Sequence, residues 1–186
     1  ADLPTDVDDA TLALALTRSA AELASRMRAA GVEGRSKTSI SDVVTAADHA
    51  AEELVEGTLR RLRPDDGIVG EEGAEAPSRS GRTWVIDPVD GTYNFLSGLG
   101  TWCSALALRD DEGVILGAVH QPAVGEAWVG GRDLPTMLNG APVGTLADLP
   151  LEEVAMATYL HPGVLHVDDL REPWLAAIAG AATVRM

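Results

Sequence analysis

One cysteine, one phenylalanine, two tyrosines and only 14 basic residues occur among the 186 positions of this chain. The lone Cys103 excludes an intrachain disulfide framework and any cysteine-based zinc pattern, and it fits a reducing compartment. Fourteen Lys and Arg against 29 Asp and Glu leave a net charge of −15, which argues against a nucleic-acid groove or an anionic membrane as partner. A halophilic surface or bound cations would explain the acid excess. No apolar run approaches a membrane span, and the start "ADLPTDVDDA" has neither the basic nor the apolar region of a signal peptide. The protein therefore reads as cytoplasmic. No GxxxxGK[ST] run exists, so a P-loop nucleotide hydrolase is excluded. His49, His120, His161 and His166 are scattered without a zincin pattern and read as surface or capping residues. Without an initiating Met, and with the ending "AATVRM", the chain is expected to be part of a longer protein.

What is present is a globular pattern. With 46% hydrophobic residues, the chain can bury one good core and the beginning of a second. Leu12, Leu16, Ala20, Leu23 and Met27 recur at helical spacing, which predicts an amphipathic helix over 6–30 closed by Gly31. A polar loop, "RSKTSISDVVTAAD", follows. Thr45 and Asp48 then form a capping box for a second helix that buries Ala51, Leu54, Val55, Leu59 and Leu62 before Pro64. Thereafter the period is that of strands, at 67–70, 83–87, 101–110, 113–122 and 125–131, the last three joined by short turns as a meander. In that alternation Cys103 is a core residue, as are Trp84, Trp102 and Trp128. A strand at "EEVAMATYL" and a helix around Pro173–Ala182 begin a second layer. The expected division is 1–140 and 141–186.

The stretch "WVIDPVDGTYNF", residues 84–95, delivers Asp87 where an apolar strand ends and Asp90 three residues later. In so acidic a chain these two acids could be a solvated turn. Gly91 admits a close backbone approach, and Thr92 opens the next segment with a free N–H and a hydroxyl, one half of a phosphate site. Two acids beside an anion need cations between them, and hard oxygen donors without His or Cys indicate Mg²⁺ or Mn²⁺. "IVGEEG" ends a second apolar run on Glu71 and Glu72. Taken alone, that pair is more often a solvated loop.

"VVTAAD", "GEEG" and "WVIDPVDGTYNF", in that order, resemble the successive signatures of the inositol monophosphatase family, magnesium-dependent, lithium-sensitive phosphatases of sugar and polyol phosphates. The resemblance implies an α+β fold, a layered αβαβα sandwich of which this chain holds the N-terminal α+β layer and the start of a second α/β layer. It also implies a homodimer. Glu71, Asp87 and the Val89 carbonyl would hold a first Mg²⁺, and Asp87 and Asp90 would share a second. Asp90, Gly91 and Thr92 would meet the phosphate. The Thr92 hydroxyl and Glu71 would orient the attacking water, with Asp48 supporting Thr92. Glu72 and Lys37 are neighbouring loop candidates, Lys37 being equally readable as a solvated lysine.

The implied reaction is hydrolysis of a small phosphate monoester by metal-activated water, with Mn²⁺ as a substitute and Li⁺ as an inhibitor. Two metals can both generate hydroxide and neutralise the leaving alkoxide. Inositol monophosphate is the leading substrate. The alternatives are fructose 1,6-bisphosphate, histidinol phosphate, 3′-phosphoadenosine 5′-phosphate, or a regulatory protein-binding member with a vestigial site. The family's later segment, which carries a further acid for the second metal, has no counterpart in these 186 residues.

Overall fold

The computed structural model describes residues 4–30, 34–36, 43–145 and 147–185, the side chains being described outside 31–45. It comprises two compact units, residues 1–143 and 144–186.

In the first unit, α1 (Asp9–Ala29) precedes β1 (Gly34–Ser36), β2 (Val43–Thr45) and α2 (Ala46–Leu62). The strands β3 (Gly67–Gly70), β4 (Glu75–Ala76) and β5 (Thr83–Asp90) follow, then the single turn α3 (Thr92–Leu96). The meander β6 (Cys103–Asp110), β7 (Gly113–Gln121), β8 (Glu126–Gly131), β9 (Leu134–Leu138) and β10 (Ala141–Pro142) completes an eight-stranded sheet of order β10-β9-β8-β7-β6-β5-β3-β4. Only β3 and β5 pair in parallel; the other neighbours are antiparallel. The hairpin β9–β10 was not anticipated as strands. It turns at Asn139–Gly140, both at positive φ, the backbone that the Asn-Gly dipeptide favours.

Asp8 starts α1 by accepting the Thr11 N–H at 2.9 Å, a side-chain cap worth about 1 kcal/mol. The buried stripe is Leu12, Ala13, Leu16, Ala20, Ala21 and Ala24, turned toward alanines relative to the expected Leu23 and Met27. Small residues let α1 approach α2 and the sheet closely. Gly31 and the Thr45 side chain, named above as helix punctuation, lie outside the described residues. The segment expected as a loop contains the antiparallel pair β1–β2.

One sheet face carries the core. Trp84 stands opposite Leu108, Ile86 opposite Leu106, and Leu106 opposite Ala118, so period-2 alternation aligns apolar side chains across three strands. They join Leu12, Leu16, Val55 and Leu59 from the two helices. A second cluster of Ala21, Ala24, Ala47, Val89, Phe95 and Trp102 packs beneath the segment after β5. There the Phe95 and Trp102 rings meet edge to face at 4.8 Å, and Arg28 donates to the Phe95 carbonyl at 3.1 Å. Trp128, expected in the core, is only partly buried; its indole N–H donates to Glu126 at 3.0 Å.

The second unit contains β11 (Ala155–Ala157) and β12 (Thr183–Arg185), paired in parallel, with α4 (Asp168–Ala179) between them. Pro173 lies inside α4 instead of at its start. The two aspartates of the first turn suit the helix dipole, and Pro173 removes one intrahelical hydrogen bond.

Candidate active site

The carboxylates gather where β3 and β5 end side by side. Parallel pairing places Gly70 opposite Ile86, and the Glu71 N–H donates to the Ile86 carbonyl at 3.2 Å. Glu71 is thereby set next to Asp87. Asp87 and Asp90 would point to opposite faces in a regular strand, because side chains alternate. A bulge changes this: Asp87 is paired with Ala105 and Asp90 with Cys103, so β5 spends one residue more than β6 between them. The extra residue restores the phase and puts both acids on one face. Pro88, which has no N–H to lose, occupies the bulge.

Gly91 follows at φ +88°, and a Cβ there would lie 3.1 Å from the Thr101 carbonyl oxygen. Conformation and space both demand glycine. Thr92 begins α3, and its hydroxyl donates to the Val89 carbonyl at 3.0 Å. Buried Val89 and Phe95 hold this turn down. Asp48, buried in the first turn of α2, adds its charge to the same locality.

Electrostatics confirm the crowding. Burial first, then the charges of Glu71 and Asp90, a hydrogen bond with Glu71 and the charge of Asp48 push the Asp87 carboxyl up to about 7. Its Oδ1 atom is buried and has no hydrogen-bond partner among the described residues. Even so, among the described residues no three His, Cys, Asp or Glu side chains already enclose a point as a metal cage would. These findings are compatible, since like charges can perturb one another at distances where they do not converge, and convergence needs a cation to share.

Two sequence expectations require revision. Cys103 is not a core residue: it is half-buried on the acid-bearing face, and its thiol donates to Asp90 Oδ2 at 3.5 Å. Burial and then the Asp90 charge push that thiol up to about 12. The alternation of β6 puts it there: Ser104, Leu106 and Leu108 are buried on the core face, and Cys103 is out of phase with them. Glu72 has a largely buried side chain, 3.4 Å from His49 Nε2, so it belongs to the loop's packing more than to solvent. Lys37 lies outside the described residues. Sequence reasoning passed over Glu52, a buried acid; the signal was an acid four residues after Asp48 within the apolar stripe of α2. A cleft of about 190 Å³ lined by Arg60, Arg63, Asp66 and Arg79 lies at the opposite ends of these strands. Its arginines are held by Glu56, Asp9 and Asp65.

The model of the inositol monophosphatase family matches residues 4–168. The chain belongs to that family. Among curated relatives, a histidinol-phosphatase of Mycobacterium tuberculosis is 36% identical over 168 residues, 84% of this chain and 64% of its own length. A histidinol-phosphatase of Chlorobaculum parvum is 42% identical over 100 residues, 54% of this chain and 39% of its own length. The chain thus spans less than two thirds of either relative. The solved structure of a Thermotoga maritima IMPase superposes with a TM-score of 0.79 at 27% identity, covering 96% of this chain and 68% of that one. The layered α+β architecture of the inositol monophosphatase family is therefore the architecture of this chain.

Proposed function

We propose that the full-length protein is a Mg²⁺-dependent phosphomonoester hydrolase, with histidinol phosphate as the first substrate to test and inositol monophosphate as the second. The observation that carries this reading is Asp87: a buried carboxylate oxygen without a partner among the described residues, beside Glu71 and Asp90, is a hard, anionic donor set of the kind Mg²⁺ takes. Glu71, Asp87 and the Val89 carbonyl would hold one ion, and Asp87 and Asp90 a second. When bound, such ions supply an activated water and charge neutralisation for the leaving oxygen.

The remaining work falls to this chain's own groups. Amides of Gly91 and Thr92 bind the phosphate, and Asp90 at the same turn borders it. The Thr92 hydroxyl, oriented through its bond to Val89 O, positions the attacking water together with Glu71, and the Asp48 charge supports that end of the site. The order of substrates rests on two points. The two histidinol-phosphatases are the more similar curated relatives described above, and a net charge of −15 favours a phosphate ester that also carries cationic groups. The superposed IMPase keeps inositol monophosphate as the second reading.

Phosphate release by the full-length protein from both substrates, with and without Mg²⁺, tests the proposal. A higher kcat/KM for histidinol phosphate supports the stated order. Preference for inositol monophosphate reverses it, and turnover of neither ester, or turnover unaffected by chelation, refutes the reading.

A further inference from the structure

The loop that bears Glu71 is not self-supporting. Residues 70–74 reverse the chain between β3 and β4, with the Gly70 N–H donating to the Ala74 carbonyl at 2.7 Å. Two further N–H groups of this loop point inward, and both meet one side chain from another element. Glu52 Oε2 accepts from the Glu72 N–H at 2.8 Å, and Glu52 Oε1 accepts from the Ala74 N–H at 2.8 Å. Glu52 is 4% exposed. A buried carboxylate is costly unless its oxygens are satisfied, and backbone N–H groups satisfy it with charge-assisted bonds. Gly70 is part of the same fit, since a Cβ there would overlap the Glu52 carboxylate.

Glu52 stands one helical turn after Asp48 on α2. The same helix thus contributes one acid to the carboxylate cluster and one to the loop that presents Glu71. Glu71 itself is tied on its other side to β5 through the Ile86 carbonyl. We infer that Glu52 is a positioning residue: it clamps the Glu72 and Ala74 amides and so fixes the direction in which Glu71 offers its carboxylate to a divalent cation. This inference rests on the proposed metal reading of Glu71. Glu52 touches no reacting atom; it acts through the loop, as partners behind metal ligands do.

The test uses the full chain and two readouts, amide hydrogen exchange at Glu72 and Ala74, and Mn²⁺ affinity measured from the signal of free Mn²⁺ by electron paramagnetic resonance. The clamp predicts that Glu52→Ala accelerates exchange at both amides by about 10-fold or more and weakens Mn²⁺ binding on the order of 10-fold or more. Glu52→Gln keeps one acceptor, so it should protect one amide and restore part of the Mn²⁺ affinity. If Glu52→Ala fails to fold, Glu52→Gln carries the test alone, with loss of protection at one amide expected. Unchanged exchange at both amides in either variant overturns the clamp. Faster exchange with unchanged Mn²⁺ affinity overturns the positioning role. A wild-type chain that protects both amides yet binds no Mn²⁺ overturns the metal reading and the inference's second half with it, while leaving the hydrogen bonds themselves verified.

Discussion

Replacing Asp87 by Asn should make the metal-free protein more stable while removing its response to Mg²⁺. The carboxyl rises from 3.8 to about 7 in the folded chain, so between those values the folded state holds a proton that the unfolded state has lost. Stability then falls as pH rises through that window and levels off above it. At full strength a shift of that size is worth about 4 kcal/mol. Asp87 is only half-buried, and solvent screening reduces the expected penalty to about 1–2 kcal/mol. Asn carries no charge and escapes it. Urea denaturation with chelator should therefore find Asp87→Asn and wild type similar near about pH 4, and the variant more stable by about 1–2 kcal/mol near about pH 8. Saturating Mg²⁺ should reverse that order by stabilising only the wild type, by about 2.7 kcal/mol at a hundredfold excess over Kd. A pH-independent difference, or a variant less stable than wild type at the higher pH without metal, would refute the crowding argument.

Thr92→Ala should lower kcat by about 100-fold or more with KM nearly unchanged; a raised KM with retained kcat would make Thr92 a phosphate ligand alone. Gly91→Ala, forced to φ +88° against the Thr101 carbonyl, should cost about 1–3 kcal/mol in chemical denaturation, and wild-type stability would contradict the fit described. Asp66 feels burial, which raises its carboxyl, but hydrogen bonds from Arg82, Ser80 and Trp84 and the Arg82 charge outweigh it and hold it below 3.8. Its stabilising contribution is therefore present above that value and lost as pH falls through the folded one. Asp66→Asn should flatten the acid limb of a pH–stability profile, and an acid limb of unchanged slope would show that the Arg82 pair is not part of it.

The helices and most strands were legible because burial imposes a period: Leu12, Leu16 and Ala20 mark one helix face, and Trp84 and Ile86 one sheet face. Asp87, Asp90, Gly91 and Thr92 were legible as a group because acid, proline and glycine rarely interrupt an apolar strand together. Cys103 was misplaced although its period could be read, since it is out of phase with Leu106 and Leu108, which fill the core face. The shared face of Asp87 and Asp90 was hidden instead, because the bulge between them shifts the register by one and leaves no mark in composition. Glu52 went unread because its partners are backbone amides twenty residues away, which any sequence could supply. The β9–β10 hairpin was obscured by Pro135 and Pro142, residues that usually argue against strands and are tolerated here toward the edge of the sheet.

The most direct test of the account is a crystal of the full-length protein soaked in Mn²⁺ and measured at the manganese absorption edge. An anomalous peak bounded by Glu71, Asp87 and the Val89 carbonyl, lost in Asp87→Asn, is the expected result. Manganese bound elsewhere, or a peak that survives the loss of the Asp87 carboxylate, would contradict the assignment of this cluster as the catalytic metal site.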